Sequence, residues 1–455
     1  MKFTKFGKAL LMGALSAGVA LSISSCVESY SVGFLYVTGT ESSDTTGAGI
    51  ISGFKIDHNT GQLTQINGLP ISSGGANPVR AVLLSGSRFL YVLNRGTAET
   101  GGGSDCTTAN PCQNSNITLF AVGANGILSQ QAQFSTQGTN PFRLLADSTG
   151  SYLYVLDHDA PMVNGAYDYS LCTKALGTSN PTCADITVFK IDSSTGRLSL
   201  VQNQQVATAS GAAATYFPVP SNPVDFVMAS SYIFTMNGSA STDFPYSNGT
   251  SVFPYTYNSS SGQLTINQTS SQTLNIASGR ALVYTGGYLY VLDNDKTTAT
   301  INGSTTTSQS GIVPYTVGTN GVLQIQTGGA VPDDPNLSSP TWILVEASKG
   351  RFAYVANEAG VSSTTTNSGI AGYSVDSSTK ELTYMADEPF GSGNGPQCLV
   401  EDPSNQFIYT ANTDKTITGR SIDLSSGDLR QLTANTSSYS INGPATWCLV
   451  DGRTD

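Results

Sequence analysis

One short run recurs seven times along the chain: Leu35-Tyr36-Val37, Leu90-Tyr91-Val92, Leu153-Tyr154-Val155, Ile233-Phe234-Thr235, Leu289-Tyr290-Val291, Ala353-Tyr354-Val355 and Ile408-Tyr409-Thr410, at intervals of 55 to 80 residues. A unit repeated this often restricts the chain to architectures that stack or circle one small module. Each run is followed by an alternating strand and then a tight turn: Asn59-Thr60-Gly61, Ala124-Asn125-Gly126, Ser194-Thr195-Gly196, Ser260-Ser261-Gly262, Thr319-Asn320-Gly321, Ser378-Thr379-Lys380 and Ser425-Ser426-Gly427. Six of the seven supply Gly where such a turn needs positive φ. Most runs are preceded by another apolar strand opened by Pro78, Pro141, Pro223, Pro340 or Pro396. Each unit therefore reads as four strands, a to d.

Seven such units predict an all-β fold: a seven-bladed β-propeller of four-stranded antiparallel blades. The first unit starts at its Tyr-Val strand and has no strand a. The chain ends in Ala445-Thr446-Trp447-Cys448-Leu449-Val450-Asp451, which reads like the other a strands, so the C-terminal strand is expected to join blade one and close the ring. Pro254 and Pro314 fall inside predicted c strands, where a bulge is expected to accommodate them.

Composition agrees with this reading. Only 11% of residues are charged, while 48 Gly and 19 Pro, with many Ser, Thr and Asn, supply turns and surface. A net charge of −11 excludes a polyanion such as nucleic acid as partner. With two histidines and no metal-ligand spacing, no metal and no cofactor are expected.

The first residues form a targeting segment. Lys2, Lys5 and Lys8 precede the apolar run Ala9 to Ile23, which is short for a membrane span. It ends in Ile23-Ser24-Ser25-Cys26, which resembles a bacterial lipobox. The chain thus divides into a lipoprotein signal peptide (1–25), a tether (26–32) and the propeller (33–455), with Cys26 as the lipidated residue. The processed chain keeps 17 basic and 31 acidic residues, a net charge of −14. Val27 after the cysteine, by the same resemblance, implies the outer membrane; the expectation is a monomer in the bacterial cell envelope, touching the membrane only through its anchor. Six cysteines remain. Cys106 with Cys112 and Cys172 with Cys183 are close in sequence, and Cys398 and Cys448 lie on the a strands of blades seven and one, so three disulfides are expected in an oxidising compartment.

The Tyr-Val strands, the Asn-Pro openings and the run Gly49-Ile50 … Phe54-x-x-Asp57-x-x-Thr60-Gly61-x-Leu63 resemble the seven-bladed lactonase family, which includes propeller-type 6-phosphogluconolactonases and is similar to YVTN-repeat surface proteins. In this architecture the d–a connections and b–c loops share one face around the channel. The long insertions at about 94–116 and 157–185 are b–c loops, which marks that face as the working one. Aligning the openings of the a strands gives the column Arg80, Arg143, Asp225, Arg280, Ile343, Cys398, Cys448. The three arginines, with Asp225, are candidate ligand-binding residues, because a guanidinium fork suits a carboxylate or phosphate.

The resemblance implies lactone chemistry, with Arg280 in Ser278-Gly279-Arg280-Ala281 standing where the family has Gly-Pro-Arg-His. The His of that motif is absent, and Asn294 stands where the family's Glu would follow a Tyr-Val strand. Candidate proton-transfer residues are Glu358, in Asn357-Glu358, and His158, between Asp157 and Asp159 on a predicted b–c loop. His58 falls on the opposite face. Asp157, Asp159, Asp293 and Asp295 read as solvated turn residues. The expected function is binding of a small carboxylate or lactone ligand, or of an envelope protein, on the loop face; the alternative is hydrolysis of a sugar-acid lactone.

Overall fold

The structure is a computed structural model that describes residues 30–452, apart from 43–45, 85, 87, 104–105, 178–180, 209, 239–248, 267–271, 275, 302–303, 361–367 and 433–435. The expected signal peptide and Cys26 lie outside the described residues.

Seven antiparallel blades circle a central axis. Strands a, b, c and d of blade two are Pro78–Leu83, Phe89–Asn94, Asn116–Val122 and Leu128–Phe134. Those of blade three are Thr139–Ala146, Tyr152–Asp159, Cys183–Ile191 and Leu198–Leu200. Blade four has Pro223–Ala229, Tyr232–Gly238, Gly249–Tyr257 and Leu264–Ile266; blade five has Gly279–Thr285, Tyr288–Asp293, Gly311–Val317 and Leu323–Ile325. Blade six has Leu337–Val345, Phe352–Gly360, Gly369–Val375 and Leu382–Tyr384; blade seven has Pro396–Glu401, Phe407–Asn412, Thr416–Ile422 and Leu429–Gln431. Blade one joins the two ends of the chain: Ala445–Asp451 is strand a, paired antiparallel with strand b, Ser31–Thr40, and followed by Ala48–Asp57 and Leu63–Gln65. The first strand begins at Ser31, so Ser31 and Val32, assigned to the tether from sequence, belong to the sheet.

The b strands are buried at nearly every position because both faces of each blade are covered by neighbours. All six residues of Phe89–Asn94 and all eight of Tyr152–Asp159 are buried. The repeated tyrosine has a second task. Its hydroxyl reaches the next blade and donates to the turn glycine there: Tyr36 to Gly126 O at 2.7 Å, Tyr91 to Gly196 O at 2.6 Å, Tyr354 to Gly427 O at 2.7 Å and, across the closure, Tyr409 to Gly61 O at 2.7 Å. In blade three Tyr152 reaches the same turn of blade four instead, donating to Ser260 O rather than to the glycine, at 2.7 Å. Glycine is required at these turns on two counts. Gly61 has φ +67°, and a Cβ there would meet the Phe407 ring at 2.4 Å. Asp57 closes the same turn by accepting from Thr60 N at 2.8 Å, which gives the Asp-x-x-Thr-Gly pattern its physical basis. Lys380, the one departure from glycine, holds φ +60°.

No bulge accompanies Pro254 or Pro314, contrary to the sequence expectation. Both sit in register, opposite Phe234 and Tyr290 of their b strands. The Pro314 carbonyl accepts from Gln326 N in the chain leaving strand d, so its imino side faces the outer edge. The short d strand ends there, and no ladder hydrogen bond to strand b is lost.

All three expected disulfides are present, with Cα separations of 5.2 Å (Cys106–Cys112), 5.5 Å (Cys172–Cys183) and 5.8 Å (Cys398–Cys448). The first two staple the b–c insertions of blades two and three, and the insertions interlock. Tyr167 Oη donates to Thr108 O at 2.8 Å, and Thr108 Oγ1 to Asp159 at 2.8 Å.

Candidate functional site at the channel mouth

Every a strand carries a one-residue register shift against strand b, for example between Pro78 and Arg80, Pro141 and Arg143, and Gly279 and Ala281. This shift sorts the axial residues into two tiers and corrects the column read from sequence. One tier consists of Arg80, Arg143, Asp225, Ala281, Trp342, Cys398 and Trp447. Arg280 is the shifted residue of its strand and lies one step nearer the mouth, at the position taken by Phe142 and Gln397 in other blades. Ile343 and Cys448 lie one step deeper. Cys398 and Cys448 are therefore offset by one residue, and alternation along a strand points them to opposite faces of their blades. Neighbouring blades stack face to face, so this offset is what lets the two sulfurs meet.

At the mouth, the Arg280 Nη2 hydrogen-bonds the Glu358 carboxylate from the end of strand b in blade six. Gln397 Nε2 donates to the other Glu358 oxygen at 3.2 Å. This cluster is partly open, with the Glu358 side chain 31% exposed. In the tier below, Arg143 Nε donates to Asp225 Oδ1 at 2.8 Å. Asp225 also accepts from Phe226 N at 3.0 Å and, through Oδ2, from Leu282 N of blade five at 2.9 Å. One carboxylate thus ties blades three, four and five. Arg80 lies over the Trp447 ring, 3.6 Å from its centroid and 5.8 Å from that of Trp342; the two indoles meet edge to face at 4.8 Å. The sequence reading brought the charged residues to one end of the channel. It missed Trp342, Trp447 and Gln397, which only the register shift places there.

His158 is not on a loop. It is in the last turn of strand b of blade three, buried, with Nδ1 3.1 Å from Asp159 Oδ2 and its ring 6.1 Å from Phe142. It follows Tyr154 by four residues, as Glu358 follows Tyr354, so the two occupy equivalent places in blades three and six. Asp157, Asp159 and Asp293 are likewise buried, against the expectation of solvated turns, while Asp295 is exposed. Asp159 accepts from Asn140 Nδ2 at 2.7 Å, and Asp293 from Ser278 N at 2.9 Å; both fasten strand ends. Among the described residues no group of three or more His, Cys, Asp and Glu is arranged to hold a metal ion.

Asp157 faces Asp185 directly across strands b and c, and neither is exposed. Blade two has Asn94 and Asn116 in the same places, joined Nδ2 to Oδ1 at 3.0 Å. Burial raises both aspartates above the usual carboxylate range, and the Asp157 charge raises Asp185 further, so the pair carries a proton where blade two has an amide hydrogen. Their pKa values are raised in the folded state, so this contribution is present at acid pH and is lost as pH rises toward and past neutrality. Asp185→Asn should therefore raise stability at pH 8 by about 1–3 kcal/mol. It should also flatten the fall in melting temperature between pH 5 and 8; an unchanged pH profile would refute the shared proton.

The fold and its axial site define a seven-bladed propeller with a partly open channel mouth lined by paired charges. The chain matches the family described as lactonase, seven-bladed β-propeller, over residues 34–165 and 298–446, and it belongs to that family. Among solved structures it is similar to the periplasmic gluconolactonase of Pseudomonas aeruginosa, at 17% identity and TM-score 0.60, covering 92% of this chain and 99% of that one. It is also similar to a proposed 6-phosphogluconolactonase of Bacteroides fragilis, at 15% identity and TM-score 0.62, covering 92% and 98%. At these identities the likeness is one of fold. No curated protein matches the sequence.

Proposed function

We propose that this protein is a cell-envelope lipoprotein whose channel mouth binds a small carboxylate-bearing ligand, an organic acid or its lactone. The observation that carries this reading is Arg280, held at the mouth by Glu358 and backed by the Arg143–Asp225 pair in an otherwise acidic chain. Arginines fixed on rigid strands bind an anion with little ordering cost. Family membership and the gluconolactonase named among its structural neighbours support the choice of ligand. Arg280→Ala should weaken binding of a small carboxylate probe, hexanoate or gluconate, at least tenfold by titration calorimetry. The melting temperature should barely move, because a partly exposed ion pair contributes about 0–1 kcal/mol. Strong destabilisation together with no binding by the parent would make the arginines structural and leave the loop face to an envelope protein.

A second reading, lactone hydrolysis, is favoured by the contact between Glu358 and Arg280. Glu358 takes a proton from a water that attacks the lactone carbonyl, Arg280 stabilises the oxyanion, and the proton passes to the ring oxygen as its bond to the acyl carbon breaks. Glu358→Gln would then abolish turnover and keep binding, and a loss of turnover in His158→Ala would assign the proton transfer to His158 instead. The envelope placement rests on the lipobox-like run ending at Cys26. Cys26→Ser should move the protein from the membrane fraction to the soluble fraction; retention in the membrane fraction would remove the anchor.

A further inference from the structure

Below the mouth the axis holds a half-open cavity of about 250 Å³ that the ligand reading leaves unused. Its walls include Trp342, Trp447, Leu144, Phe226 and Leu282, and its charged residues are Arg80, Arg143 and Asp225. Those charges are already engaged: Arg143 with Asp225, and Arg80 against the Trp447 ring. A body rich in hydroxyls would lose its water there and meet few partners, which is costly. An apolar body would gain from burial and from contact with the indoles. The volume is below the roughly 300–1,000 Å³ of pockets for drug-sized ligands, so the body is small.

We infer that the acid bound at the mouth carries an apolar body, a single ring or a short alkyl chain, which descends into the Trp342–Trp447 cavity. The ligand class is then an apolar carboxylic acid or its lactone rather than a polyhydroxylated one. This rests on the proposed binding of a carboxylate at the mouth and narrows it.

The chain has two tryptophans, and both line this cavity, so intrinsic fluorescence reports its occupancy. The test titrates the processed chain with hexanoate, cyclohexanecarboxylate and gluconate, following tryptophan emission and heat. Hexanoate and cyclohexanecarboxylate should bind at least tenfold tighter than gluconate and change the emission saturably. Trp342→Ala should erase that preference. Where this variant does not fold, the parent's emission change decides. Gluconate binding as tightly as the apolar acids, or apolar acids binding with unchanged emission, overturns this inference and leaves carboxylate binding standing. Binding of none of the three overturns both.

Discussion

A chain ended after Pro444 should not reach a cooperatively folded state, and Cys448→Ser alone should lower the free energy of unfolding by about 4 kcal/mol. The truncated residues are strand a of blade one, the pairing partner of Phe34–Gly39. Without it Phe34, Leu35 and Tyr36, now essentially unexposed, would lie on the uncovered inner edge of blade one. The disulfide adds a second fastening at the same place. It joins neighbouring a strands over a sequence separation of 50, and a cross-link over a loop of that length removes much of the unfolded chain's freedom. Guanidinium unfolding of the oxidised parent, the reduced parent and Cys448→Ser checks this. Equal midpoints for all three would show that strand pairing alone holds the ring.

Asp225→Ala should cost about 3–5 kcal/mol, the range for breaking a buried ion pair from one side. It strands the Arg143 guanidinium in the channel and leaves the amide of Leu282 without its acceptor. The contrast with Arg280 is the informative part, since both arginines pair with a carboxylate from a neighbouring blade. The Asp225 side chain is 3% exposed and that of Glu358 is 31% exposed, so water screens one pair and not the other. A loss below about 1 kcal/mol for Asp225→Ala would mean that the blades hold their spacing without it.

The ring was legible in the sequence because its signals are periodic. The Tyr-Val strands, the turn glycines and the a-like character of Ala445–Asp451 each repeat a pattern that other blades display. Local spacing was enough for Cys106–Cys112 and Cys172–Cys183. What escaped turns on single-residue register. The shift in each a strand moved Arg280 to the rim and put Trp342 and Trp447 beside Arg80. Nothing in a row of residues marks such a shift when blade five opens with Gly279 where others have proline. The buried acids escaped for another reason. Asp157 and His158 read as a polar loop, yet they continue strand b under the stapled insertions, whose interlocking is long-range. The sequence also offers no sign that Asp185 would stand opposite Asp157.

Blade one, assembled from both ends of the chain, bears on biosynthesis. Its b strand is made before blades two to seven and its a strand after them, since Phe34 pairs with Asp451. Until that strand arrives, blades two to seven can stack but the circle stays open, with a sticky edge at each side of the gap. Closure is therefore a late, long-range event, and a nascent chain of this kind remains a loose arc, easier to unravel and thread through a narrow passage than the finished ring.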